Sequence, residues 1–199
     1  MNLLNPSNWI VVLRSIILAF VLMLPLAGTH HGKLGQCLFP FESTYYSLAL
    51  KISKEFKVEV EEAERIISLA YSLTTPGTFP RPLDVLAVVA VESSFQRNAV
   101  SRFGPSVGLM QINSGVHKGI KHLREPEANI RKGVSLLSKY KTSGNSENFA
   151  LTSYNSGPKN ARLKCNEESE DECIGTYVKK ILRAKAWLTG VTPRYIRNY

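Results

Sequence analysis

The chain has 199 residues, of which 44% are hydrophobic and 21% charged, and it carries a formal net charge of +9. That length fits one ordinary domain with a short appendage, and that composition excludes disordered, collagen-like, coiled-coil and low-complexity classes. The basic excess points to an acidic partner without choosing among nucleic acid, anionic lipid and an anionic polymer.

Taken in chain order, the first feature is the apolar run Ile16 to Leu26, preceded by apolar Trp9 to Leu13 and by Arg14, the only charged residue before Gly28. A signal-peptide core needs about 7–15 apolar residues and a membrane-spanning helix about 20. Residues 1–28 are therefore expected to be an export signal, or an anchor retained over Trp9 to Ala27. A buried core helix fits less well, because such an unbroken apolar N-terminus rarely begins a soluble fold. His30 and His31 read as solvated linker residues, not a metal pair, and Cys37 has no assigned role. Residues 29–80 are expected to form a linker and N-terminal helices.

Tyr45, Leu48, Ala49, Ile52 and Phe56 recur on one helical face, with Ser43 or Thr44 as candidate caps. Val60, Ala63, Ile67, Ala70 and Tyr71 repeat the pattern. The stretch Thr74 to Pro82 breaks it with three prolines and a glycine. A third helix is expected from Leu83 to about Phe95, apolar on nearly every side. Another starts near Pro126, a good first-turn proline, with Ile130, Val134, Leu137 and Tyr140 on one face. Glu147 to Tyr154 and Thr176 to Leu188 complete a mainly α domain over 81–190. No sustained period-2 alternation and no internal repeat is present.

Glu92 follows the apolar run LDVLAVVAV. Burial and the negative end of the helix dipole both raise a carboxyl pKa there, which suits a general acid. A helix-end glutamate pointing at water is the plainer alternative. Two polar breaks follow. Ser101 to Asn113 reads SRFGPSVGLMQIN, with Gln111 among apolar neighbours; Ala150 to Pro158 reads ALTSYNSGP, with Tyr154 and Asn155 at a helix end. Singly these are packing or capping residues. With a lone acid they form a candidate cleft for a polar, ring-shaped ligand.

Glu92-Ser93-Ser94-Phe95, Gly108-Leu109-Met110-Gln111-Ile112 and Ala150 through Tyr154-Asn155-Ser156-Gly157 resemble the three ordered motifs of the soluble-type lytic transglycosylase (SLT) domain. Asn129-Ile130 with Gly133, and Tyr177-Val178, resemble its weaker markers. The resemblance implies a goose-type-lysozyme-like helical fold and cleavage of the bond between N-acetylmuramic acid and N-acetylglucosamine in peptidoglycan glycan strands. By it, Glu92 protonates the glycosidic oxygen and then acts as base on the muramic acid 6-hydroxyl, leaving a 1,6-anhydro end. Ser101 and Tyr154 would hold Glu92 or the acetamide; Met110, Gln111 and Asn155 would line the sugar subsites, and Tyr177 would contribute from the last helix. No second acid lies in the motifs, in keeping with substrate-assisted glycosidases, and no metal or cofactor is called for.

Cys165 and Cys173 flank an acidic stretch poor in other metal ligands, so a disulfide is expected in an oxidising compartment and zinc is not. With the first segment this implies an exported, periplasmic protein that meets the membrane only through its N-terminus. Candidate partners beyond the wall are a secretion, conjugation or pilus machine. A lysozyme-type hydrolase of the same fold and a non-catalytic peptidoglycan-binding module are the alternatives. Nucleic acid is not an expected partner, since no basic cluster is interleaved with aromatics.

Overall fold

The computed structural model describes residues 40–117, 122–142, 145–165 and 173–191. The apolar run at 16–26, the two histidines at 30–31 and Cys37 lie outside the described residues. Seven helices are described: α1 (Pro40–Phe56), α2 (Val60–Ser72), α3 (Pro82–Glu92), α4 (Pro126–Tyr140), α5 (Glu147–Ser156), α6 (Pro158–Lys164) and α7 (Thr176–Leu188). Between α3 and α4 a two-stranded antiparallel ribbon pairs β1 (Ser106–Val107) with β2 (Ile112–Asn113). Among the described residues no helix is long and apolar enough to cross a membrane.

The fold is mainly α and is built around α3. Its valines have modest helix propensity, so packing and its N-terminus must supply the stability. Pro82 occupies the first turn, where its missing N–H costs nothing. Asp84 accepts the orphan backbone N–H of Arg81 at 2.8 Å. Val85 through Ala90 are all buried, chiefly against α7 and α2. At the far end Ser94 and Phe95 take left-handed backbone angles, φ 57° and 60°. The helix consequently stops at Glu92 and does not run on to Phe95 as expected. Phe95 turns inward, fully buried, with its ring 5.0 Å from that of Phe56.

Two other expectations are corrected. Helix α1 begins at Pro40, a first-turn proline, so Ser43 and Thr44 lie inside the helix and do not cap it. After the Gly157 turn the chain re-enters a helix at once, α6, which its lack of a repeating apolar face had hidden. Helices α1 and α2 share one hydrophobic core with the rest through Ile52, Phe56, Ile66 and Ile67. Residue 81 therefore begins the motif-bearing segment without dividing the core.

Candidate active site

A groove of about 510 Å³ is lined by Glu92, Ser101, Gln111, Ser153, Tyr154 and Asn155, among others. It brings together residues from α3, the ribbon loop and α5. Among its described lining residues Glu92 is the only acid.

Glu92 is held by Tyr177 of α7, whose hydroxyl donates to Oε1 at 2.7 Å. Burial pushes the Glu92 carboxyl above its ordinary value; the Tyr177 hydrogen bond and the Lys180 charge oppose this without overcoming it. Burial, and next the Glu92 charge, push the phenols of Tyr154 and Tyr177 well above theirs, so both remain protonated donors at neutral pH. The donor to the acid is thus Tyr177, and not Tyr154. The Tyr154 hydroxyl donates instead to the backbone carbonyl of Met110 at 2.6 Å.

That bond ties two motifs together. Met110 is fully buried and does not line the groove, contrary to expectation. Its backbone is gripped at both ends: its N–H donates to Asn129 Oδ1 at 2.7 Å, and its carbonyl accepts from Tyr154. Its sulfur lies against Gly133, where any β-carbon would clash with it. Asn129, itself fully buried, also donates to the carbonyls of Val107 and Leu123 at 2.9 and 2.7 Å. Asn129 and Gly133 therefore fix the ribbon loop on α4.

The loop delivers Gln111 to the groove in a left-handed conformation, φ 48°, rare for a residue with a β-carbon. Its amide nitrogen donates to the carbonyls of Ala99 and Gly108 at 3.1 and 2.9 Å, leaving its oxygen for a ligand. Backbone strain held by surrounding hydrogen bonds is common where a side chain must be aimed. Ser101 lines the groove, and its Oγ accepts the Phe103 N–H at 3.3 Å, a long bond that a ligand can replace. Asn155 lines the groove and is exposed. Sequence reasoning missed Tyr140, His117 and Leu136, which also line it. The apolar face assigned to α4 was the only signal for Tyr140, and there it read as core.

Cys165, at the end of α6, and Cys173, shortly before α7, are joined by a disulfide. The link fixes the approach to α7 close to Tyr177.

Residues 81–173 match the Transglycosylase SLT domain family. This segment is an SLT domain. The match spans the acid, the ribbon loop, Asn129, Gly133 and the Tyr154-Asn155 turn, while Tyr177 lies beyond it. The SLT domain marks a transglycosylase-type fold that acts on peptidoglycan. No curated protein matches the chain.

Proposed function

We propose that the protein is a peptidoglycan lytic transglycosylase with Glu92 as its sole acid–base group. What carries the reading is the state of Glu92: a carboxyl in the groove, pushed up by burial and hydrogen-bonded by a neutral phenol. Such a group holds its proton to higher pH than a free carboxyl does, as one that serves first as acid and then as base must. Glu92 gives its proton to the glycosidic oxygen as the bond from that oxygen to the muramic acid anomeric carbon breaks. The 6-hydroxyl oxygen of the same sugar bonds to that carbon, and its proton passes to the Glu92 carboxylate. The acid is regenerated and no water is consumed.

A hydrolase usually needs a second carboxylate, as base for water on the opposite face when it inverts or as nucleophile when it retains. Glu92 is the only acid among the described lining residues, which favours the intramolecular route. Gln111 and Asn155 would hold the sugars, with Ser101 near the reactive group; Tyr177 would hold Glu92, and Tyr154 would fix the loop that carries Gln111. Export to the periplasm belongs to the same reading, supported by the apolar run at 16–26 and by the Cys165–Cys173 disulfide.

Glu92→Gln tests the assignment, since it removes the proton at almost no change in shape. Turnover of purified peptidoglycan by the folded variant should fall by roughly 10²–10⁴-fold or more. Near-wild-type lysis would refute the role of Glu92.

A further inference from the structure

One edge of the groove is not used by this chemistry. Leu136 and Tyr140 of α4 line it, and Lys132 and Lys139 stand on the same helical stripe, four residues before Leu136 and three after it. His117, from the turn after β2, lines the groove as well. Burial first, and then the charges of Lys132 and Lys139, hold the His117 imidazole below its ordinary value, so both ammonium groups are its electrostatic neighbours. Arg131, next along the helix, is paired with Glu127 at 2.6 Å. None of the ion pairs among the described residues engages Lys132 or Lys139. Beside the groove, therefore, stand two cations that no ion pair among the described residues engages, with the His117 imidazole and the mostly buried Leu136 in the groove wall.

We propose that Lys132, Lys139 and His117 bind the carboxylates of the peptide stems borne by muramic acid, so that the protein favours strands whose stem carboxylates are free. The inference rests on the peptidoglycan reading above and names the part of that substrate which the sugar-binding residues do not address. In a peptide-bearing strand the lactyl carboxyl is already condensed into an amide with the stem. The anions that remain are those of the stem's acidic residues and its terminus, spaced by aliphatic ones. Two cations flanking the apolar Leu136 match that alternation, and the imidazole can donate to a carboxylate without adding charge. Attraction between largely solvated groups is modest for each pair and weakens with salt.

The test compares two substrates with the full chain: solubilised strands with free stem carboxylates, and the same strands after their carboxylates are converted to amides. The wild type should cleave the free strands with a kcat/KM about tenfold higher, and that preference should shrink as salt rises. Lys132→Gln combined with Lys139→Gln should abolish the preference by lowering turnover of the free strands. Lys132→Arg combined with Lys139→Arg should keep it, because the charge is kept. A glutamine double variant that retains the preference would overturn the proposal, as would an equal loss on both substrates. A wild type that cleaves both equally well defeats this inference alone. A wild type that yields anhydro-ended products from neither defeats the peptidoglycan reading beneath it.

Discussion

In its first turn, α3 carries Asp84, buried with Arg81 and Lys185 against it; eight residues on, at its last turn, it carries Glu92, set in the groove against the Tyr177 phenol. Burial pushes both carboxyls up. At Asp84 the hydrogen bonds from Lys185 and Arg81, with the Lys185 charge, overcome it and hold the group below the usual carboxylate range. At Glu92 one neutral donor and the Lys180 charge do not, and the group stays above its ordinary value. The helix dipole adds to both effects, favouring an anion at the first turn and disfavouring one at the last. An acid satisfied by two cations is locked as an ion and serves the fold. An acid given one phenol keeps both protonation states within reach and can move a proton.

Replacing the locked acid should produce the largest change in stability. Asp84→Asn leaves Lys185 and Arg81 without their shared partner and should cost about 3 kcal/mol at neutral pH. Because the folded pKa of Asp84 lies below its unfolded value of about 3.9, the stabilisation is complete above that value and is lost as pH falls through the folded pKa. Chemical denaturation at pH 7 and at pH 3 should therefore show a deficit that shrinks in acid.

Tyr177→Phe tests the other end of the helix. It removes a hydrogen bond that favours the charged form of Glu92, so the Glu92 pKa rises further. The alkaline limb of the pH–rate profile should move upward, and turnover should drop about tenfold as the carboxyl loses its orientation, roughly 1.4 kcal/mol of barrier. A phenol that only packed against α3 would leave the limb where it was.

The smallest effect sharpens the contrast by its sign. The folded pKa of Glu92 lies above its unfolded value of about 4.3, so ionising it destabilises the fold; the cost is absent at lower pH and grows as pH rises toward the folded pKa. Glu92→Gln should accordingly melt slightly higher than wild type at pH 7, with no advantage near pH 4. Activity lost with stability gained is the signature of an acid kept for function.

Much of this was legible in the chain. Helix α7 runs over the predicted Thr176 to Leu188, and Pro126 opens α4 as its position promised. The acid after a solid apolar run, and the ordered motifs after it, pointed to the groove. What was hidden depends on pairs far apart in sequence. Nothing local marks Tyr177 as the partner of Glu92, 85 residues away, or Lys185 as that of Asp84, 101 away. The Met110 motif suggested a side chain facing sugar, but Gly133 makes room for that side chain inside the core. The ribbon, two residues to a strand, is too short to show alternation.

The most direct measurement of the central claim is the mass of the products released from purified peptidoglycan by the wild-type protein. A single carboxyl acting on the sugar's own 6-hydroxyl adds no water, so every new muramic acid end should be the 1,6-anhydro form, lighter by one water than a reducing end. Reducing ends formed from the outset, carrying oxygen from isotopically labelled solvent, would show that water is the nucleophile and contradict the account.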